Sequence, residues 1–184
     1  MRSTESTLFT AADYRALGEG PPHHQLIEGE LIMAPAPSSY HQMILCNLIY
    51  FLRTHLETQP IGKIFPAPFD VYFDETNVLQ PDLVFIANSR MAMVGKDGAH
   101  GAPDLVVEIL SPATARLDLD QKRGVYARCG VAELWIIVPD SRQIQIYRLQ
   151  EDPIRPAAIY EQTDTFRSAL FPGLDIPAAQ IFAE

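Results

Sequence analysis

The chain has 184 residues, of which 47% are hydrophobic and 20% charged, and its formal net charge is −9. This is the composition of an ordinary globular protein, and we expect one domain over residues 1–184. The acidic balance argues against tight general binding of nucleic acid by this chain alone, but it does not exclude a local basic groove, a partner that supplies one, or metal ions that screen the acids.

No apolar run approaches the roughly 20 residues needed to cross a bilayer, and the polar N-terminus lacks the apolar segment of a signal peptide. Cys46 and Cys129 are the two cysteines of the chain. Both fall in apolar helical patterns, which predicts buried free thiols. We therefore expect a cytoplasmic protein without a membrane span.

The N-terminal third predicts a helix, a hairpin and a longer helix. Thr10 is a good N-cap for a helix over 11–17, which Gly18 would end. Residues 25–33 alternate as a hairpin with its turn at 28–29. A second helix is predicted from about residue 40 to 56, because its apolar residues recur at helical spacing after a serine cap.

The middle of the chain predicts strands. Residues 62–73 are a strand pair or one bent strand, interrupted by Pro66 and Pro68. After a turn, residues 78–86 are predicted as a single strand that contains Pro81. Residues 88–103 form a loop with a short helix as an option.

The C-terminal half begins with the most apolar strand of the chain, at 104–110, followed by a helix over 117–129 that Gly130 would end. Two further strands are predicted at 133–138 and 143–149. A proline-punctuated tail follows, with a short strand near residue 159. The order of elements predicts an α/β or α+β fold: a mixed central sheet flanked by helices, with an added N-terminal hairpin and a core at about 26–150.

Two carboxylates stand out because they lie in apolar strands. Glu108 is in the middle of the strand at 104–110, and Asp82 precedes another apolar run. Ionising a buried carboxylate costs several kcal/mol unless a cation neutralises it. With Lys122 on the following helix, the pattern indicates a divalent-metal site with a general base. The alternative is structural: Glu108 and Lys122 form a buried ion pair, and Asp82 caps a turn after Pro81.

Several ordered motifs resemble the Uma-two branch of restriction endonucleases, within the PD-(D/E)xK nuclease superfamily. The resemblance covers residues 26–182. Its motifs are the segments 28–31, 80–82, 103–114, 130–135 and 170–174, together with Pro35, Pro37, His41, Lys122 and Tyr126. It implies a restriction-endonuclease-like fold and reverses the preference for the structural alternative.

The resemblance also implies site roles. Asp82 and Glu108 match the two acids of the superfamily's signature. Leu110 stands where the signature has its lysine, and Lys122 matches a lysine that this branch carries on the next helix. The implied activity is hydrolysis of DNA phosphodiester bonds with Mg²⁺, or Mn²⁺ as a substitute, and the carbonyl of Ile109 would be a further metal ligand.

Other residues are secondary candidates. Glu30 and His41 could face the site, although His41 in a first helical turn is more often a capping residue. Tyr126 lies one turn beyond Lys122 and would either hydrogen-bond Glu108 or pack. The remaining candidates are arginines for DNA contact on or near the same helix: Arg116, Arg123 and Arg128.

Two other functions remain open at this point. One is a non-catalytic binding or assembly module that keeps the nuclease fold, and the other is a metal-dependent hydrolase of another phosphate ester. The expected partner of the leading function is DNA, bound weakly and through metal. A homodimer is expected. Met91, Met93 and Val94, taken as exposed in the long loop, could form its interface, and a disordered loop is an equal alternative.

Overall fold

A computed structural model of the chain describes residues 8–18, 24–33, 36–111 and 117–184. The helices in this part of the chain are α1 (Ala11–Ala16), α2 (Ser39–Thr58), α3 (Arg123–Cys129) and α4 (Ala178–Ile181), with a 3-10 helix at Asn88–Met93 and a π-helix at Leu117–Lys122. The strands are β1 (His24–Ile27), β2 (Glu30–Met33), β3 (Gly62–Pro66), β4 (Val71–Asp74), β5 (Asn77–Leu79), β6 (Leu83–Ala87), β7 (Ala99–His100), β8 (Leu105–Ile109), β9 (Glu133–Val138), β10 (Gln143–Arg148), β11 (Ala158–Tyr160), β12 (Thr165–Phe166) and β13 (Ile176–Pro177).

The predicted capping residues act as their types suggest, although α2 ends two residues later than expected and the helix predicted over 117–129 begins as a π-helix. Thr10 and Asp13 form a reciprocal capping box at the start of α1. The side chain of Ser38 accepts a hydrogen bond from the backbone of His41 at the start of α2. Gly130 ends α3 in the left-handed conformation, with φ 96°.

Two sheets form the centre of the fold. The larger has six strands in the order β11-β10-β9-β8-β6-β3, with β8 and β9 parallel and the other neighbours antiparallel. The smaller has five strands in the order β2-β1-β5-β4-β7. The expected mixed central sheet flanked by helices is therefore confirmed, and the predicted N-terminal hairpin is β1 and β2 at one edge of the second sheet.

Side chains on the two faces of the six-stranded sheet belong to two hydrophobic clusters. On one face, Val107 and Trp135 pack with α2 and the C-terminal segment. On the other, Val106 and Leu134 pack with α3 and the second sheet. The strands β6, β8 and β9 are buried on both faces, which explains their nearly continuous apolar sequences.

One predicted strand is wrong. Residues 78–86 are two strands, β5 and β6, which belong to different sheets and are separated at Gln80, Pro81 and Asp82. Proline has no N–H to donate to a ladder, and the backbone N–H of Gln80 bonds instead to the side chain of Gln25. Similarly, β3 and β4 do not pair with each other but lie in separate sheets.

The expected burial of some residues also needs correction. Cys46 is exposed and Cys129 only partly buried, because Cys46 lies on the outer side of α2. Met91, Met93 and Val94 are not exposed as expected but partly buried, packed against the cluster on the α3 side of the sheet. Within the described ranges, no helix is long and apolar enough to span a membrane.

Candidate functional site

The pairing of β6 with β8 determines where the two predicted acids lie. Val84 pairs with Val106 in antiparallel register, and both contribute to the cluster on the α3 side. Continued by two residues, this register would bring Asp82 opposite Glu108, whose side chain shares the α3 face with Val106. Asp82 itself lies just before β6, and its carboxylate contacts His41 of α2, the helix that packs on the other face.

The carboxylate of Glu108 is held by two side chains from the helical segment that follows. The Nζ atom of Lys122 lies 3.1 Å from Oε1 of Glu108, and the hydroxyl of Tyr126 donates to the same oxygen. Glu108 and Lys122 are only 2% and 4% exposed, and Tyr126 is fully buried. Of the alternatives for Tyr126, the hydrogen bond to Glu108 is the one present.

The spacing of the helical segment explains this convergence. Lys122 is the last residue of the π-helix and Tyr126 lies in the second turn of α3. A separation of four residues aligns two side chains on one helical face, which here packs on the sheet. Because the ammonium and the carboxylate are buried together, their mutual attraction offsets part of the free energy that each charge loses on leaving water.

The carboxylate of Asp82 is fixed at the end of the sheet. Its Oδ2 accepts a hydrogen bond of 2.6 Å from the backbone N–H of Ile109 and lies 3.2 Å from Nε2 of His41. His41 is buried in the first turn of α2, and the Asp82 side chain is 20% exposed. Oδ1 of Asp82 accepts no hydrogen bond from any residue within the described ranges.

Ile109 links the two acids, since it binds Asp82 through its N–H and follows Glu108 in the chain. The arrangement therefore combines a partly open carboxylate, a buried carboxylate and an ammonium at one end of a rigid sheet. Among the residues described, no three His, Cys, Asp or Glu side chains cluster as a ready-made metal cage. Any cation here would rely on two carboxylates, a carbonyl and water or substrate oxygens.

The other predicted residues that the structure describes have different surroundings. Glu30 is exposed on β2 and makes no side-chain hydrogen bond with the described part of the chain. The guanidinium of Arg123 lies over the ring of Tyr147, 5.3 Å from its centroid. Arg128 pairs with Glu28 at 3.2 Å, with both side chains exposed.

Some sequence motifs fall outside the described residues. Arg116, the third candidate for DNA contact, lies there, as do Pro35 and residues 112–114. For these the sequence-based expectations stand as stated.

A cavity of about 570 Å³ lies between α1 and the five-stranded sheet and was not predicted from the sequence. Its wall includes Asp70, whose Oδ1 accepts hydrogen bonds from Nε2 of Gln80 at 2.7 Å and the hydroxyl of Tyr14 at 3.1 Å. The only sequence signal was Gln80, which precedes Pro81 and Asp82 in one of the motifs. Tyr14 and Asp70 come from distant segments that only the fold brings together.

Burial perturbs the tyrosines of this cavity. The pKa of Tyr14 is raised well above its ordinary value, first by burial and then by the nearby carboxylate of Asp70. The pKa of Tyr72 is raised for the same two reasons, in the same order. Both hydroxyls therefore remain protonated donors at neutral pH.

Comparisons with known proteins agree with this architecture. The profile of the Uma2 family, described as "Putative restriction endonuclease", matches residues 11–179. The chain is also 27% identical over 121 residues to the uncharacterized protein sll1609 of Synechocystis sp. (strain ATCC 27184 / PCC 6803 / Kazusa), which covers 65% of this chain and 68% of that relative.

A solved structure has the same fold. The crystal structure of a putative nuclease belonging to DUF820 from Anabaena variabilis ATCC 29413 superimposes with a TM-score of 0.79. The alignment covers 95% of this chain and 97% of that one, at 22% identity. The fold is thus preserved over almost the whole length of both proteins.

Proposed function

This chain belongs to the Uma2 family, and we propose that it is a metal-dependent endonuclease that hydrolyses phosphodiester bonds of DNA. The observation that supports the proposal is the position of both acids at Ile109: Glu108 precedes it in the chain, Asp82 accepts from its backbone N–H, and Nζ of Lys122 lies 3.1 Å from Glu108. In this proposal Asp82, Glu108 and Lys122 are the catalytic residues.

The donor set fits Mg²⁺, with Mn²⁺ as a substitute. Mg²⁺ prefers oxygen ligands, is held by one or two protein carboxylates and keeps several waters. Asp82 and Glu108 would supply the carboxylates and Ile109 its backbone carbonyl; Oδ1 of Asp82, which accepts no hydrogen bond from the residues that the structure describes, is an available oxygen. When bound, such an ion activates water and stabilises the charge that develops on the phosphodiester.

Lys122 would act on the attacking water and on the phosphate. Its buried ammonium carries a positive charge beside Glu108, where charge is screened much less than in bulk water. A flexible four-carbon stem can turn the ammonium from Glu108 to a phosphate oxygen or a water when substrate is present. It would then orient the water and stabilise the pentavalent transition state.

Tyr126 and His41 would act as positioning residues in this reaction. The hydroxyl of Tyr126 fixes Oε1 of Glu108, and Nε2 of His41 lies against Oδ2 of Asp82. Each contact restricts the rotation of a carboxylate that would hold the ion. Groups bonded to metal ligands commonly contribute 10- to 100-fold to metal affinity or activity.

The chain's charge determines what DNA binding to expect. With a net charge of −9, binding should be weak without a divalent ion and should fall as salt rises. Arg116, Arg123 and Arg128 are the proposed contacts near the helix of Lys122. Cleavage of both DNA strands would require two sites, so the proposed active form in the cytoplasm is a homodimer.

A cleavage assay on supercoiled plasmid DNA tests the proposal. The wild type should nick or linearise the plasmid with Mg²⁺ or Mn²⁺ and not with a chelator. Asp82→Asn should lower the rate by more than about a hundredfold, since a lost charged ligand costs several kcal/mol and each 1.4 kcal/mol is tenfold.

Glu133→Gln is the matched control for this assay. Glu133 is also a buried acid, on the neighbouring strand β9, but it binds Nε1 of Trp135 and the hydroxyl of Ser168 on the opposite face. Its loss should leave cleavage nearly unchanged. Equal losses in both variants would contradict the assignment of Asp82.

A non-catalytic binding module is the second candidate function. The closed, buried pair of Glu108 and Lys122 is the observation in its favour, because such a pair can hold a helix against a sheet without taking part in any reaction. A well-folded wild type that cleaves no DNA with either ion would favour this candidate. Metal-dependent hydrolysis of another phosphate ester but not of DNA would point instead to the third candidate.

A further inference from the structure

We propose that the cavity beside Asp82 holds the nucleotide that flanks the scissile phosphodiester of the bound DNA strand. This inference rests on the proposed function and adds to it a substrate-binding subsite. No residue of the subsite belongs to the proposed catalytic group.

The position of the cavity is the first support. The backbone N–H of Ala67 donates to the carbonyl of Asp82 at 3.0 Å, and the cavity wall begins at the next residue, Pro68. Gln80, two residues before Asp82, lies in the same wall. A strand with its phosphodiester at Asp82 would therefore have a neighbouring nucleotide at the cavity.

The size of the cavity also suits a nucleotide. About 570 Å³ falls within the 300–1,000 Å³ range of small-molecule sites.

The inner wall presents a fixed polar edge. Nε2 of Gln80 donates to Asp70, which holds the amide in one orientation. Its Oε1 accepts no hydrogen bond within the described part of the chain, so it is available to an amino or imino group of a base. The Gln80 side chain is thus a preorganised reader of a base edge.

The mouth of the cavity carries two cations for a phosphate. Arg15 lies with its guanidinium over the ring of Tyr72, 4.6 Å from the centroid, and Lys96 is exposed. Arg15 also pairs with Asp97, but at 3.6 Å and with both side chains nearly half exposed. Such a pair is weak, so a phosphate can replace Asp97 as the partner of Arg15.

Salt-dependent DNA binding tests the phosphate contacts. Binding of a labelled DNA duplex is measured by fluorescence anisotropy with Ca²⁺ in place of Mg²⁺ over a range of salt concentrations. The double variant Arg15→Gln/Lys96→Gln should bind more weakly and lower the magnitude of the slope of log K against log salt by about 1.8, because each phosphate contact on duplex DNA contributes about 0.9.

The control makes the same change in charge elsewhere. Arg142→Gln/Arg155→Gln removes two exposed cations near β10 and β11, at the edge of the six-stranded sheet opposite β3. Its slope should stay close to the wild-type value. If both double variants lower the slope by the same amount, or if neither lowers it, the cavity does not hold a phosphate and the proposal is wrong.

A variant that fills the cavity provides a second measurement. Leu17 lines the cavity and is 51% exposed, so Leu17→Trp should fill the space without unfolding the protein. It should lower kcat/KM for plasmid cleavage at least tenfold at an unchanged melting temperature. Ile154→Trp, at another exposed apolar position, should have no such effect.

The outcomes separate the two proposals. If the wild type cleaves DNA and Leu17→Trp behaves like Ile154→Trp, the subsite is wrong and the nuclease function stands. If the wild type neither binds nor cleaves DNA with any divalent ion, the proposed function fails and the subsite fails with it.

Discussion

Removal of the Lys122 ammonium should destabilise the protein strongly, and its effect can be separated from any loss of catalysis. Glu108 and Lys122 are 2% and 4% exposed, and their charged atoms are 3.1 Å apart. At an effective dielectric constant of about 20, two unit charges at this separation attract by about 5 kcal/mol. Desolvation of the two ions opposes most of this attraction.

The cost of breaking the pair differs from the cost of replacing it. Lys122→Met leaves the carboxylate buried without its cation and should lower the free energy of unfolding by about 3 to 5 kcal/mol. Glu108→Gln leaves the ammonium unpaired and should cost a similar amount. The double variant removes both charges, so its loss should fall short of the sum of the single losses by about 3 kcal/mol or more.

Urea unfolding followed by circular dichroism measures these free energies, with cleavage of plasmid DNA measured on the same preparations. The double variant should recover much of the stability lost by Lys122→Met and yet remain inactive. That combination would identify the loss of activity as chemical.

Two results would refute this reasoning. Additive losses would mean that the two charges are not energetically coupled despite their separation. Full cleavage activity in the double variant would remove Lys122 and Glu108 from the chemistry. The exposed pair of Arg167 and Asp175, 2.6 Å apart, is a useful reference, because its coupling should be much smaller.

Two further predictions concern other parts of the chain. Gly98→Ala should lower the free energy of unfolding by at least about 2 kcal/mol, because Gly98 has φ +135° and a Cβ there would lie 2.2 Å from the carbonyl oxygen of Asp70. The control is Gly124→Ala in α3, where a Cβ meets nothing closer than 3.7 Å. It should be neutral or stabilising in the same urea titration. At pH 8 a thiol reagent should label exposed Cys46 quickly and Cys129 slowly, because burial and then the charge of Asp74 raise the pKa of the Cys129 thiol and lower its thiolate fraction. The slow labelling of Cys129 should become faster as pH rises, and it should be the only labelling phase that remains in Cys46→Ser. Rapid labelling of both thiols at pH 8 would contradict the partial burial of Cys129.

Local signals were sufficient to predict most elements of the fold. Capping residues such as Thr10 and Ser38 act within a few residues of their own position, so the helix starts follow from the sequence. The hairpin of β1 and β2 and the strands β8 and β9 follow from alternation and apolar runs. These features depend little on which distant segments they contact.

The failures share a different cause. Residues 78–86 looked like one strand because the apolar pattern continues on both sides of Pro81. Whether a strand continues or changes sheets depends on its pairing partners, which local periodicity does not give. A proline inside an apolar run was nevertheless a signal that the strand ends there.

The candidate site likewise combines features that local sequence predicts with features that depend on tertiary contacts. The burial of Glu108 and the alignment of Lys122 with Tyr126 followed from an apolar run and a spacing of four residues. The approach of Asp82 to the backbone of Ile109, next to Glu108, depends on how β6 pairs with β8, which is a tertiary property. The contact of His41 with Asp82 depends on how α2 meets the end of the sheet.

The break at Pro81 explains why two candidate sites adjoin. Gln80 ends the segment that follows β5, in the five-stranded sheet, and Asp82 immediately precedes β6, in the six-stranded sheet. In one continuous strand, both residues would belong to the same sheet, and the Gln80 side chain would not reach Asp70. Because the chain changes sheets within three residues, the same short segment supplies an oxygen ligand to the proposed metal site and an amide to the cavity. In the two proposals above, cleavage and nucleotide binding would be coupled through this one short segment, so we expect changes in the cavity to affect cleavage without moving the acids.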